Sequence, residues 1–223
     1  DIATLSQQKM REKRKDMQII FQDPLASLNP RNTVGQIIEE PLRVHNILAT
    51  KKERQSRVLE LMETVGLARR YYDTYPHELD GGRRQRIGIA RALSVNPKFI
   101  VCDEPVSALD VSIQAQILNL MQDLQKERNL TYIFVTHNLS VVKHISTDIM
   151  VMYLGCTVEK TSSKELFKNQ YHPYTKALCR SIPSLDKDVE RLEVIQGLVP
   201  DPADLPTNCS FYERCSAKCS NCV

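Results

Sequence analysis

At 223 residues, with 26% charged and 42% hydrophobic side chains, the chain is large enough and apolar enough to bury a globular core. A formal net charge of +3 is too small to argue for nucleic acid, and the cluster Arg11, Lys13, Arg14, Lys15 reads as a solvated helix face. No apolar run approaches the ~20 residues that a membrane-spanning helix needs, and no secretory leader stands out.

In chain order, the first legible element is Met17-Gln-Ile-Ile-Phe-Gln22-Asp23-Pro24, a short apolar strand ending in a glutamine. Thr50 and Glu53 have capping-box spacing, and the stripe Val58, Leu61, Met62, Val65 predicts a helix closed by Gly66. At Leu79-Asp80-Gly81-Gly82-Arg83 two glycines open another helix, with Ile87, Ala90 and Leu93 on one face. Backbone N–H groups at such a start form an anion site that the helix dipole reinforces.

Phe99-Ile-Val-Cys-Asp103-Glu104 predicts a strand buried on both faces, as in a parallel sheet, with two carboxylates at its tip. Open α/β sheets bind ligands outside the carboxyl ends of their strands. Mg²⁺ keeps several waters and takes only one or two carboxylates, which suits Asp103, while Glu104 suits an acid that polarises an attacking water. Asp110 opens a helix carrying Ile113, Ile117, Leu120, Met121 and Leu124, and Tyr132-Ile-Phe-Val-Thr-His137 is a further strand with a histidine at its tip. A hairpin turning at Leu154-Gly155 is expected within 149–160.

From residue 161 the texture changes. Pro173, Pro183, Pro200, Pro202 and Pro206 mark an extended appendage with short helical pieces. It ends in Cys209-x₅-Cys215-x₃-Cys219-x₂-Cys222. Thiols this dense suggest metal or cluster ligands before disulfides, although only Cys219-x-x-Cys222 has ordinary zinc spacing and unligated thiols stay open. Cys102, Cys156 and Cys179 read as packed small hydrophobes.

Together these motifs resemble the nucleotide-binding subunits of ATP-binding-cassette (ABC) transporters, and within them the oligopeptide/dipeptide importer group. Gln22 resembles that family's Q-loop, 79–83 its signature loop, Asp103 and Glu104 the Walker B acid and catalytic glutamate, 107–110 the D-loop, and His137 the switch histidine. The subgroup resemblance rests on 21–30, on Asp110-Val-Ser-Ile-Gln-Ala-Gln116, and on His172-Pro-Tyr-Thr-Lys-Ala-Leu178. It implies an α/β, P-loop NTPase-like ABC ATPase domain, here partial, with a helical subdomain and a C-terminal cysteine-containing extension. The implied segments are 1–24, a remnant of the first core lobe with the Q-loop; 25–93, a helical subdomain ending in the signature helix; 94–160, the α/β core; and 161–223, the importer extension.

The resemblance also implies the chemistry. ATP and Mg²⁺ are the expected cofactors, with Gln22, Glu104 and His137 catalytic, Asp103 and Gln22 toward Mg²⁺, and Asp80, Gly81, Gly82, Arg83 and Asp110 toward nucleotide. The implied partners are a second ABC ATPase subunit, the same or different, membrane permease subunits and, indirectly, an extracytoplasmic peptide-binding protein; nucleic acid is not among them. The implied location is peripheral, at the cytoplasmic face of the membrane. The 209–222 cysteines resemble a motif that in some peptide-importer ATPases holds a [4Fe–4S] cluster, with zinc the lesser expectation.

Two departures qualify these expectations. The sequence contains no Gly-x₄-Gly-Lys-Ser/Thr, the loop that cradles phosphates, so the chain is expected to begin inside the domain and to bind ATP weakly by itself. In the signature loop Asp80 stands for the family's serine and Arg83 for its glutamine. A carboxylate ~4 Å from a phosphate charge costs roughly 1–4 kcal/mol, which Arg83 is placed to offset in part. The alternative expectation is a non-hydrolysing binding or assembly subunit with a C-terminal metal or Fe–S site.

Overall fold

The computed structural model describes residues 2–181, 195–201, 208–219 and 222, so Pro183, Pro202 and Pro206 lie outside the described residues. The chain divides into two compact units, 1–137 and 138–223. The expected helical segment 25–93 falls in the first unit, and 138–160 falls with the extension in the second.

The first unit contains α1 (Gln7–Lys13), β1 (Met17–Ile20), α2 (Pro24–Ser27), α3 (Val34–Val44), α4 (Lys51–Thr64), α5 (Gly81–Leu93), β2 (Phe99–Asp103), α6 (Val111–Arg128) and β3 (Thr131–Val135). Helix α1 buries no residue, so the basic cluster 11–15 is the solvated face that its composition suggests. The three strands form a parallel sheet in the order β1-β2-β3, with Ile20 beside Cys102 and Asp103 beside Val135. All three therefore end at one edge of the unit.

Expected burial on both sheet faces is not what forms. Ile100 and Cys102 are covered, at 1% and 0% exposure, on the face they share with Ile20. The opposite face stays open at Ile19 (39%), Ile133 (51%) and Val135 (49%). A run of four apolar residues does not reveal which face finds a partner.

Helix α5 packs against α2, α3, α4, α6 and β1. The sequence suggests one apolar face, at Ile87, Ala90 and Leu93; Ile89 and Ala92 are buried as well, so the helix is enclosed nearly all round. Three of its four arginines, Arg84, Arg86 and Arg91, do not contradict this, because each donates to a backbone carbonyl. Arg84 reaches Leu79 O at 2.6 Å, Arg91 reaches Ser27 O at 2.6 Å, and Arg86 reaches Val65 O at the end of α4. The last carbonyls of a helix have no intrahelical donor, and a cation there also opposes the helix dipole favourably. Burial lowers the basicity of Arg91.

Helix α4 begins as its pattern predicts. Thr50 and Glu53 cap one another's amides, Val58, Leu61, Met62 and Val65 are fully buried, and Gly66 takes φ +67°. Helix α6 starts on Asp110, whose Oδ1 accepts from Ile113 N at 3.0 Å, and stops at Asn129 in the left-handed region.

The second unit contains α7 (Leu139–Ile145), β4 (Asp148–Tyr153), β5 (Cys156–Ser162), α8 (Ser163–Lys168) and α9 (Pro173–Arg180). β4 and β5 form the expected hairpin. Its turn residues Leu154 and Gly155 both have positive φ, as a two-residue turn matching strand twist requires. Ile149, Val151 and Leu166 form the core, with Phe167, Tyr174, Leu178 and Cys179 packed on it. Cys102 is buried and Cys179 half-buried, but Cys156 opens the exposed side of β5 and is not a packed hydrophobe.

The His172-Pro-Tyr-Thr run is a helix start. His172 Nδ1 accepts from Tyr174 N at 3.1 Å, Pro173 occupies the first turn, and Thr175 is buried. Glu159 on β5 accepts from Tyr171 N at 3.1 Å and His172 N at 2.9 Å, which fastens this start to the hairpin. Arg214, from the cysteine-bearing segment, donates to Tyr153 Oη at 3.1 Å and to Gln196 O and Ile195 O.

Candidate functional site

Parallel strands deliver their tips side by side. Gln22 follows β1, Asp103 and Glu104 end and follow the central β2, and His137 follows β3. Gln22 Nε2 donates to Glu104 Oε2 at 2.9 Å, and His137 Nδ1 lies 2.8 Å from Glu104 Oε1. With the carboxylate ionised, Nδ1 is the donor, and Nε2 of the ring is left to face outward. The imidazole is 74% exposed and the Glu104 side chain 21%.

Glu104 sits at φ +43°, in the left-handed region that a side chain disfavours. Such a conformation costs roughly 1–3 kcal/mol and persists where surrounding bonds over-determine it. Here Glu104 N donates to Val135 O at 2.9 Å, carrying the ladder one step past β2. Ser107 N and Oγ both donate to Glu104 O, at 3.2 and 3.0 Å. The hydrogen bond from His137 holds the Glu104 carboxyl below its ordinary value, against a smaller opposing effect of desolvation. An ionised carboxylate fixed between an amide and an imidazole is arranged to accept a proton or to orient water.

Asp103, half-buried at the end of β2, places a second carboxylate at this edge. Because Gln22 uses its amide N–H₂ on Glu104, its amide oxygen stays available as a hard donor. One carboxylate, one amide oxygen and solvent form the oxygen set that Mg²⁺ accepts.

Asp80, Gly81, Gly82 and Arg83 form a second group. Asp80 caps α5, its Oδ1 accepting from Arg83 N at 2.8 Å while Oδ2 pairs with the Arg83 guanidinium. Asp80 is thus paired directly with Arg83. The Arg83 guanidinium also lies 5.1 Å from the centre of the Tyr71 ring, as does that of Arg70. Hydrogen bonding from Arg70 lowers the pKa of the Tyr71 hydroxyl.

The two glycines are required by packing. A Cβ at Gly82 would lie 2.7 Å from Ile113 Cγ2, and one at Gly81 3.1 Å from Leu109 Cδ2. The start of α5 is therefore seated on the loop that leads from Glu104 to Asp110 and into α6. Tyr71 and Ile113 do not announce themselves as site residues in sequence. Tyr71 belongs to an unremarkable Arg-Arg-Tyr-Tyr run, Ile113 reads as the apolar stripe of a helix, and Leu109 lies within the 107–110 stretch that resembles the D-loop.

Cys209, Cys215, Cys219 and Cys222 do not meet the expectation of a cage. Among the described residues no group of three or more His, Cys, Asp or Glu side chains is arranged to hold a metal. A [4Fe–4S] cluster needs four converging thiolates and structural zinc four tetrahedral ligands, and the described residues lend neither expectation support.

Residues 1–107 match the family model described as ABC transporter, and 158–222 match the one described as Oligopeptide/dipeptide transporter, C-terminal region. Similar proteins include the oligopeptide transport ATP-binding protein AppF of Bacillus subtilis (strain 168), 53% identical over 96% of this chain and 66% of that protein. The oligopeptide transport ATP-binding protein OppF of Salmonella typhimurium is 50% identical over all of this chain and 68% of the relative. The dipeptide transport ATP-binding protein DppF of Haemophilus influenzae is 50% identical, over 94% and 64%. The chain spans about two thirds of the length of these relatives. Among solved structures, the post-hydrolysis dimer of the ATP-binding cassette MJ0796 bound to ADP and Pi superposes with a TM-score of 0.64 at 30% identity, over 72% of this chain and 68% of that one. CbiO1 of Clostridium perfringens, part of the transporter complex cbiONQ, gives 0.66 at 28%, over 74% and 64%.

Proposed function

Since the chain belongs to the ATP-binding proteins of oligopeptide and dipeptide ABC transporters, we propose that it serves ATP hydrolysis coupled to peptide uptake. The observation that carries this reading is the convergence of Gln22 and His137 on the Glu104 carboxylate at one edge of a parallel sheet. Phosphoryl transfer asks the protein mainly for positioning and for stabilisation of developing charge.

In this reading Glu104 orients the attacking water and accepts its proton, and Gln22 holds one of its oxygens. His137, with Nε2 outward, meets the terminal phosphoryl oxygens and stabilises charge that develops there. Asp103 and the Gln22 amide oxygen would hold Mg²⁺, which supplies neutralisation of the phosphate charge when bound. Asp80 to Arg83 and Asp110 would face nucleotide carried by a second ATPase subunit. Arg83 then places a cation next to Asp80 where the phosphates arrive.

The permease subunits and the extracytoplasmic peptide-binding protein are the proposed further partners, with this chain peripheral on the cytoplasmic face. Among the described residues no helix is long and apolar enough to cross a membrane. As the sequence has no Gly-x₄-Gly-Lys-Ser/Thr, these 223 residues alone bind ATP weakly or not at all. Asp80 in the signature loop favours a second reading, a non-hydrolysing assembly subunit.

The two readings separate on one experiment. The chain is joined to the phosphate-loop segment of a relative such as OppF, and phosphate release is compared with its Glu104→Gln variant. Hydrolysis that falls by about 10²–10⁴-fold in the variant supports the enzyme. Absence of hydrolysis in the joined protein, with nucleotide bound, supports the assembly subunit.

A further inference from the structure

Tyr71 ends the 3₁₀ turn Arg69–Tyr71, an element separate from α5. The stretch that follows is fastened to the start of α3, where Val34 N donates to Thr74 O at 2.9 Å and Gly35 N to Tyr72 O at 2.8 Å. The Tyr72 ring fills the space that Gly35 leaves, since a Cβ there would lie 2.5 Å from Tyr72 Cζ. The backbone of Tyr71 is thus anchored without help from any charge. Its ring centre lies 5.1 Å from the guanidinium carbons of both Arg70 and Arg83, within the ~6 Å over which an aromatic face attracts a cation. Its hydroxyl accepts from Arg70 Nη2 at 3.2 Å.

Arg83 is held by two groups. Asp80 engages its Nη1, and the Tyr71 ring lies beside its guanidinium. The charged groups acting on the phenol are Arg70, Arg83 and Asp80, two cations and one anion. The cluster therefore carries one net positive charge, although Asp80 stands where the resembled signature loop has serine. An arginine side chain is long and rotamer-rich, so a carboxylate and a ring that fix its plane reduce the entropy lost on binding. Its planar fork of N–H donors suits phosphate oxygens, and Asp80 takes only one of its three nitrogens.

We infer that Tyr71 is a positioning residue for the loop 80–83: its ring, together with the Asp80 carboxylate, holds the Arg83 guanidinium to meet the terminal phosphate of a nucleotide carried by a second ATPase subunit. The inference rests on the reading that 80–83 face that nucleotide. Tyr71 acts through Arg83 and not on the phosphate itself. A paired arginine on an aromatic support then does what the serine and glutamine of the resembled loop do.

The test has two arms. In the 223-residue chain labelled with ¹³C-tyrosine, the Tyr71 signal is assigned by its loss in Tyr71→Phe and titrated. Hydrogen bonding from Arg70 lowers the phenol pKa most, and the Arg83 charge lowers it as well. Arg83→Gln should therefore move it up, and Arg70→Gln further. In the joined protein, the ATP midpoint is read from phosphate release, or from nucleotide binding where hydrolysis is absent. Tyr71→Ala is expected to raise that midpoint about two- to fivefold. Tyr71→Leu, which keeps bulk without an aromatic face, does the same, while Tyr71→Phe stays near the unsubstituted value. Arg83→Gln raises the midpoint too, and in that background Tyr71→Ala adds nothing.

A phenol that ignores Arg83→Gln overturns the inference, because ring and guanidinium then do not meet in solution. A Tyr71→Ala effect of equal size with and without Arg83 also overturns it. So does a midpoint that Arg83→Gln raises while Tyr71→Ala and Tyr71→Leu do not. These three results leave the reading of 80–83 standing. A midpoint unmoved by Arg83→Gln, with the phenol responding, removes that reading and this inference with it.

Discussion

Gln22 and His137 hold the two oxygens of one carboxylate, that of Glu104, from strands on either side of it. Neighbouring strands lie ~4.8 Å apart, so an amide and an imidazole set just past the outer strands span the central residue without strain in their own backbones. Loss of either partner leaves the acid present but free to rotate.

Removal of His137 is therefore expected to show first in titration. The hydrogen bond from His137 depresses the Glu104 pKa, so its contribution to stability is present above the ordinary carboxylate value and disappears as pH falls through the lowered one. In His137→Ala the Glu104 carboxyl should titrate closer to the ordinary glutamate value, followed by the carboxyl carbon shift in NMR. An unchanged titration would mean that the contact does not persist in solution.

Gly82→Ala should destabilise the first unit, because the new methyl meets Ile113 Cγ2 at 2.7 Å. Overpacking of this kind costs about 1–3 kcal/mol, read from the midpoint of urea unfolding. In an Ile113→Ala background the same change should cost much less. Additive losses in the double variant would dismiss the steric argument.

At the start of α5, Asp80→Ser should keep the cap and leave stability nearly unchanged, whereas Asp80→Ala should lose about 1 kcal/mol. For hydrolysis in the joined protein the prediction is that Asp80→Ser frees Arg83 and changes the KM for ATP, while Asp80→Ser with Arg83→Gln changes it less. Equal KM values in both variants would show that the ion pair does not bear on nucleotide.

Glu159 gives a pH prediction for the second unit. Burial raises its carboxyl pKa, but hydrogen bonds, among them those from His172 N and Tyr171 N, outweigh burial and leave it below the ordinary value. Its stabilisation is thus present at neutral pH and lost as pH falls through the lowered value. Glu159→Ala leaves two amides without their acceptor, at about 1–3 kcal/mol. Its effect on the thermal midpoint should shrink in acid, and an equal effect at all pH values would refute the assignment.

Much of this was readable from residue order. Asp110 as a cap, the Thr50–Glu53 box, the Leu154-Gly155 turn and the three strand tips follow from local periodicity and turn chemistry. What local pattern cannot carry is partnership at a distance. The burial of Ile89 and Ala92 depends on how many elements surround α5, and the exposure of Ile133 on what fails to cover the sheet. Nor does local pattern specify that Arg86 and Arg91 reach the distant backbone acceptors Val65 O and Ser27 O. Four cysteines within a short span suggest a cage by density alone.

The left-handed backbone at Glu104 makes its position a weak point under selection for heat resistance. Glycine accepts φ +43° without a steric penalty, so Glu104→Gly relieves about 1–2 kcal/mol of conformational cost. A library ranked only by melting temperature would therefore tend to enrich molecules that are sturdier and lack this carboxylate.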